Sequence, residues 1–412
     1  MRLVIARKLN NVSRTSFILL IACMLSTDSI IRYVVQIIAK IPIIDMFSSA
    51  FEPALFVVLV LLCLKYILKN VQIPDVFFVF AFYLILLTSM LFNQDSSKYI
   101  ISYLPDIALK FIPCFFLGIA LKMDDNIKKW LYYLSVLAIW VAWLYLAYYY
   151  SNGRSFETDS MYESYAIVIH VLIVLWCAMD EAKVVSIISS VAGILYIFSM
   201  GTRGPVVIIL AFVVIYMLYK SQRSMKLKIA IAILAAVFAY LYLFTDALTN
   251  VVVWLREIVN SMGYSTRIFD SYLLGEAHES YNSLIERDAI NSKLLAALSE
   301  RPIFGYGLYG EYPFINWSAH NMYLQVCFNF GYPIGILLIV RFVTLAIKAL
   351  YRNNEKISVG FILIWLCYII PQGFFGGNIM SYYMFFTIGL LINQIRKNKR
   401  EIYETRISCE QK

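Results

Sequence analysis

Apolar runs of membrane-spanning length alternate with short polar connections along most of the chain. They fall at roughly 17–38, 50–69, 75–92, 99–121, 130–150, 163–179, 184–200, 204–219, 228–245, 320–347, 357–375 and 378–394. Runs of about 17–25 apolar residues read as transmembrane helices. The pattern predicts an all-α, polytopic transmembrane bundle of about 12 helices. It is interrupted once, by about 75 polar and mixed residues at 245–319. The expected organisation is nine helices over 1–245, a large structured outer loop over 246–319, three helices over 320–394 and a basic tail over 395–412.

Composition agrees with this reading. Of 412 residues, 61% are hydrophobic and only 15% are charged, too apolar for a soluble domain of this length. The net charge of +9 matters through its placement. Basic residues cluster before the run at 17–38 (Arg2, Arg7, Lys8, Arg14) and at Lys65 and Lys69. They recur at Lys122, Lys128 and Lys129, at Lys183, at Lys220, Arg223, Lys226 and Lys228, at Lys348, Arg352 and Lys356, and at Arg396–Arg400. With an even helix count every cluster falls on one side, and the positive-inside rule puts both termini in the cytoplasm. These cations mark cytoplasmic loops, and no nucleic-acid partner is expected. The N-terminal "MRLVIARKLNNVSRTSFILLIACMLS" has the basic-then-apolar order of a signal peptide without a convincing cleavage site, and is expected to stay as the first helix. Six of the seven cysteines fall in apolar runs, with no CxxC, and read as buried side chains instead of metal ligands.

The outer loop carries a legible stretch, "SLIERDAINSKLLAALSERPIFGYGLYG". Ser283 followed by Glu286 is a capping box. Ile290, Leu294 and Leu298 form the stripe of an amphipathic helix. Pro302 and the glycines at 305, 307 and 310 end it in a tight turn. Arg287 projects in the direction of Leu294 and sits near the helix N-terminus, where a cation is disfavoured. Either an anion compensates, or the side chain snorkels or pairs with Glu286 or Asp288.

Two further groups share that face. In "SMGTRGPVV", Arg203 lies between Gly201 and Gly204, and Pro205 suits a first helical turn. The position reads as a phosphate-binding corner or as an interfacial anchor. In "SAHNMYLQVCFNFGYPIG", His320 and Asn321 open an apolar run. An imidazole there suits proton transfer near neutral pH, or serves as an interfacial hydrogen-bonding residue. Gly331 and Gly335 flank Pro333, a pattern of close packing or a kink. Elsewhere, Asp106 and Lys110 are expected to neutralise each other, and His170 to be a hydrogen-bonded core residue. Arg154, Glu157, Asp159 and Glu163 either rim a site or are solvated. Walker A, GxGxxG, HExxH and GxSxG sequences are missing, and the outer loop has no DxD pair. No cofactor and no metal are expected.

These pieces resemble the bacterial O-antigen polymerase (Wzy) and O-antigen ligase superfamily. The likeness rests on "GTRG" at 201–204, on an Arg fifteen residues before "PIFGYG" (Arg287 to Pro302), and on "HNMYLQVCFNFGYPIG". Arg267, in "STRIF", departs from a single-Arg pattern and competes for the role of Arg287. The resemblance implies a metal-independent glycosyltransferase of the bacterial cytoplasmic (inner) membrane. Its donor is an undecaprenyl-pyrophosphate-linked oligosaccharide, joined to an acceptor hydroxyl on the outer face. It implies that His320 activates that hydroxyl, that Asn321 orients it or the sugar, and that Arg203 and Arg287 grip the pyrophosphate. An O-antigen or capsular polysaccharide polymerase acting with a chain-length regulator and a flippase is expected first. A ligase transferring polymer to lipopolysaccharide core or another terminal acceptor is the alternative, and a lipid-linked oligosaccharide flippase or transporter the third.

Overall fold

The computed structural model describes residues 42–151, 160–200, 202–220, 247–261, 284–315, 321–351, 356–375 and 378–410, with isolated positions at 21–33, 269–273 and 319. The described residues are helical and contain no strand. The order is α1 (Pro42–Asn70), α2 (Ile73–Phe92), α3 (Gln94–Asp106), a π-helical turn (Ile107–Phe111), α4 (Ile112–Ala120), α5 (Asp125–Ser151), α6 (Ser160–Glu181), α7 (Val184–Ser199) and α8 (Arg203–Lys220). Then follow α9 (Ala247–Ser261), α10 (Leu284–Glu300), α11 (Tyr312–Ile315), α12 (Met322–Leu350), α13 (Lys356–Phe375) and α14 (Tyr382–Glu410). Ten of the twelve apolar runs coincide with these helices; those at 17–38 and 228–245 lie largely or wholly outside the described residues.

Six of these segments are long and apolar enough to cross a membrane: Ile73–Phe92, Gln94–Ala120, Asp125–Tyr148, Glu163–Glu181, Met322–Leu350 and Ile357–Phe374. Val184–Ser199 and Gly204–Lys220 are shorter apolar helices. The protein is a polytopic helical membrane protein. α6 and α13 form the centre, with Trp176 and Trp365 both fully buried. α2 and the second part of α12 form the flanks. There Leu91 is 69% exposed and Leu337 64% exposed, as expected of side chains that face hydrocarbon.

The closest helix contact joins α4 to α14. A Cβ on Gly118 would stand 2.3 Å from Phe386 O, and one on Gly389 2.2 Å from Phe115 O. Glycines on both sides let the backbones touch, which is how apolar helices gain packing energy without help from water.

The basic clusters among the described residues meet at one end of the bundle. Arg396 grips Asp75 in a two-pronged ion pair at 2.6 and 2.7 Å, and Asp75 is only 2% exposed. Asn393 Nδ2 donates to Leu121 O at 2.6 Å. Asp180 accepts from Lys128 at 2.8 Å, from Tyr216 Oη at 2.6 Å and from Lys220 at 3.2 Å. The ends of α4, α6 and α8 and the middle of α14 thus share a face with the starts of α2 and α5. α14 runs on to Glu410, so the basic segment after 395 is a continuation of this helix.

Inside the bundle, His170 is fully buried and bonded to Ser135 Oγ (3.2 Å) and Leu25 O (3.1 Å). It is a satisfied core residue, as its sequence setting indicates. Asp106 and Lys110 pair at 3.7 Å, also as expected.

One expected helix differs. The run at 320–347 forms two helical pieces, because Gly331 (φ 75, ψ 164) is not helical. A Cβ on Gly335 would lie 2.7 Å from Cys327 Cα. In a straight helix, residues eight apart are separated by about 12 Å. The chain therefore bends sharply at Gly331, and the short half-helix 322–330 packs against the start of the long piece 332–350.

Candidate functional site

The end opposite the basic clusters is built around that bend. Breaking a helix frees carbonyls that the next turn would satisfy. Phe328 O loses the N–H of Tyr332, and Asn329 O has no donor at position 333 because Pro333 lacks an N–H. The turn after α10 supplies both. Tyr306 N donates to Phe328 O at 2.9 Å and Gly307 N to Asn329 O at 2.8 Å. Tyr332 N, itself freed, donates to Pro302 O at 2.8 Å. So "PIFGYG" clamps the broken helix, and positive φ at Gly305 (63°) and Gly307 (77°) lets it do so.

The clamp is anchored on two sides. α10 buries Leu294 and Leu298 completely, in a cluster with Tyr306, Cys327 and Phe328, so the predicted stripe is the inward face. Tyr306 stacks on Phe328 with centroids 4.7 Å apart. Across from it, Asn93 Nδ2 donates to Tyr306 O at 2.6 Å and Leu308 N donates to Ser89 Oγ at 3.0 Å. The α2–α3 corner is thereby tied to the same loop.

The half-helix begins at Asn321, whose Oδ1 accepts from Tyr323 N and Leu324 N, both at 3.0 Å. This N-cap satisfies two amides that have no helical partner. Asn321 Nδ2 donates to no described residue. Tyr323 Oη donates to Ile370 O at 2.8 Å, and Met322 and Tyr323 cover Gly373 closely. The start of the half-helix therefore rests on the far end of α13.

Arg203 is the first residue of α8. It follows Thr202, which is 2% exposed. α8 packs along α13. Lys220 closes α8 at the basic end, so Arg203 opens it at the end where Asn321 rests. Arg287 lies in the first turn of α10, seven positions before Leu294 and so on the same helical face. The structure thus brings Arg203 and Asn321 to one end of the molecule, with the clamp that follows α10. His320 and Arg267 lie outside the described residues, as do Ser283 of the capping box and Arg154, Glu157 and Asp159. Glu163, grouped with those charges by sequence, is 1% exposed, so solvation does not account for it.

Sequence reasoning missed Glu311. It follows the glycine turn in "GLYGEYPF" and is fully buried. Its Oε1 accepts from Gln325 Nε2. With its amide nitrogen turned toward them, Asn329 donates to Glu311 Oε2 at 2.8 Å and to Gly307 O at 3.1 Å. Gln325 Nε2 also donates to Asn378 Oδ1 at 3.1 Å, and Gln325 Oε1 accepts from Ile379 N at 3.0 Å. Burial pushes the Glu311 carboxyl up to about 7, against the two amide donors, which pull it down. Tyr309 and Tyr312 lie beside it, and the same burial holds both phenols well above their usual range. The one available signal was a lone acid in a run of glycines and aromatics. A cavity of about 680 Å³, lined by Lys128, Lys129, Tyr133 and Glu181, opens at the basic end, away from these groups.

Residues 188–340 match the Wzy_C family, O-antigen ligase. The Wzy_C match begins in α7 and takes in Arg203, α10, the clamp, the Glu311 network and the bend at Gly331. It supports the resemblance carried by the three motifs and, generally, a ligase- or polymerase-type membrane enzyme of surface polysaccharide synthesis acting on a lipid-linked glycan. No curated protein matches the chain, and neither does any solved structure.

Proposed function

We propose that this protein polymerises surface polysaccharide, joining undecaprenyl-pyrophosphate-linked oligosaccharide repeat units on the outer face of the bacterial cytoplasmic (inner) membrane. The observation that carries the reading is the Wzy_C match over 188–340, the part of the chain in which Arg203, Arg287 and the His320–Asn321 pair occur. Basic clusters gathered at the other end agree with an outward-facing site.

In this reading, the acceptor hydroxyl attacks the anomeric carbon of the donor. The bond from that carbon to the pyrophosphate oxygen breaks, and the lipid pyrophosphate leaves with the electron pair. His320 takes the hydroxyl proton, a contribution of about 10²–10⁴ in rate. Asn321 fixes the half-helix with its oxygen and offers Nδ2 to the acceptor or the sugar. Arg203 and Arg287, with Arg267 as a competing contributor, hold the pyrophosphate. Planar guanidinium forks suit that anion and stabilise the charge growing on it. The leaving group is already activated, so no metal is required for this step. A chain-length regulator and a flippase that delivers the donor are the protein partners this chemistry calls for.

A second reading has its own support, because the matched family carries the description O-antigen ligase. In that case the acceptor is lipopolysaccharide core or another terminal acceptor. Surface polysaccharide from a deletion strain, compared by gel with the complemented strain, separates the two. Loss of the long ladder with single repeat units still attached means a polymerase. Loss of all attached repeats, with long lipid-linked chains accumulating, means a ligase. An unchanged ladder refutes both. Complementation with His320→Ala at normal membrane levels is expected to restore nothing.

A further inference from the structure

The half-helix that carries Asn321, and that His320 directly precedes, is only nine residues long (322–330). It is cut off from the rest of α12 by Gly331. A helix this short has little stability of its own. Something must fix its rotation and height if the residues at its start are to meet a substrate. Backbone bonds from the clamp hold its far end, at Phe328 and Asn329. Toward its start, beyond the Asn321 cap, the described side-chain bonds are those of Tyr323 and Gln325. Gln325 lies one helical turn after Asn321 and donates its backbone N–H to Asn321 O at 2.9 Å.

Gln325 is 1% exposed and Asn329 is 1% exposed. They are four positions apart, so they share one face of the half-helix. Both amides converge on Glu311. The carboxylate takes one donor on each oxygen, from Gln325 on Oε1 and Asn329 on Oε2. Gln325 then passes the restraint to the 378–381 turn through Asn378 Oδ1 and Ile379 N. A buried carboxylate is costly unless its oxygens are filled. Here both are filled by the same short helix, so the two amides cannot leave their places without exposing that cost.

We propose that Glu311 is the positioning residue of the site. Through Gln325 and Asn329 it sets the rotation and height of the 322–330 half-helix, and so the placement of Asn321, which caps it. Glu311 is fully buried and does not itself touch the substrate. The role rests on the functional reading above for its consequence in catalysis, but not for its consequence in structure.

The test uses full-length protein in lipid nanodiscs, at a pH above 7 where the Glu311 carboxyl is ionised, with a synthetic prenyl-pyrophosphate-linked oligosaccharide as donor. Three chains are compared: wild type, Glu311→Gln, and the exchange in which Glu311→Gln is combined with Gln325→Glu. Gln at 311 points an N–H at one of two groups that are themselves donors. Asn329 can turn to accept it only by giving up Gly307 O. In the exchange, the amide at 311 donates to the carboxylate at 325 and its oxygen accepts from Asn329. The carboxylate at 325 still accepts from Ile379 N but gives up the bond to Asn378 Oδ1. Displacements of order 1 Å away from the chemistry cost up to about 100-fold. Glu311→Gln is expected to lower kcat about 10- to 100-fold with little change in donor KM, and the exchange, which lacks the bond to Asn378, to recover part of that loss. Hydrogen exchange supplies a readout that needs no activity. Amides of 322–330 lose protection in Glu311→Gln and regain it in the exchange, while α6 and α13 stay as in wild type.

Unchanged protection of 322–330 in Glu311→Gln overturns the proposal. So does an exchange variant as slow and as unprotected as the single one. If protection follows the expected pattern but wild type forms no glycosidic bond, the functional reading fails and the positioning role stands.

Discussion

Gly331 and Ile303 meet backbone to backbone: a Cβ added to Gly331 would stand 2.1 Å from Ile303 O. The contact locks the bend of α12 under the loop after α10. Gly331 also holds φ 75 and ψ 164, a region that essentially only glycine occupies, at a cost of about 1–3 kcal/mol for other residues. Gly331→Ala meets both penalties, and neither has a flexible side chain to absorb it. The variant is expected to melt several degrees lower in detergent and to lose turnover. Gly335→Ala is the comparison, since its Cβ would meet Cys327 Cα at 2.7 Å without a positive φ. An unchanged melting temperature in Gly331→Ala would show that the bend is not held by this contact.

The buried carboxyl of Glu311 gives a pH dependence with a definite sign. Its value in the folded protein is about 7, against an ordinary 4.5. Between those values the folded state binds the proton and the unfolded state does not. Stability from this group therefore falls as pH rises through that window. The full span is worth about 3 kcal/mol. The groups facing Glu311 are Gln325, Asn329 and the phenols of Tyr309 and Tyr312, with Tyr103 and Asp106 beyond Tyr309. The amides do not titrate, and the two facing phenols are held well above their usual range. Melting temperatures of wild type and Glu311→Gln, measured from pH 5 to 8, should diverge with wild type declining relative to the variant. Parallel curves would mean that Glu311 does not change its charge in this range.

Much of the frame was legible because it is local. Apolar runs predict helices at α1 to α8 and α12 to α14. The spacing of Leu294 and Leu298 predicts the buried face of α10, and the glycines after Pro302 predict a turn. The bend at Gly331 was half legible. Glycine and proline two apart announced a kink or close packing, but the partner that fills the freed carbonyls lies in another segment. Asn321 as an N-cap was within reach of local rules, since Asn precedes an apolar run. The Glu311 network was not. Its partner Gln325 is 14 residues away and Asn378 a further 53. No periodicity links a loop acid to amides on two other elements, and burial of that acid appears only when the chain is folded.

The ion pair at the opposite end predicts a stability effect. Asp75 is 2% exposed and takes both prongs of Arg396. Removing one partner leaves an uncompensated buried charge, at a cost of about 3–5 kcal/mol. Arg396→Ala should therefore be poorly retained in the membrane fraction and melt far below wild type. Arg396→Met combined with Asp75→Leu removes both charges and should recover most of the loss. If the double variant is no better than the single one, the pair is not what joins α14 to the start of α2.

The last prediction separates charge from geometry in the proposed pyrophosphate grip. Arg203 opens α8, where free backbone N–H groups already favour an anion. A lysine there keeps the positive charge but not the planar two-point contact. If the guanidinium fork grips the pyrophosphate as its charge grows, Arg203→Lys should lower kcat by about 100-fold, with normal protein levels. The same substitution at Arg287 and at Arg267 then decides which of these shares the role, because only the residue on the pyrophosphate should show a comparable loss. Initial rates with the prenyl-pyrophosphate donor are the measurement. Wild-type rates in Arg203→Lys would make Arg203 a cation that anchors the membrane boundary, and the pyrophosphate would need another holder.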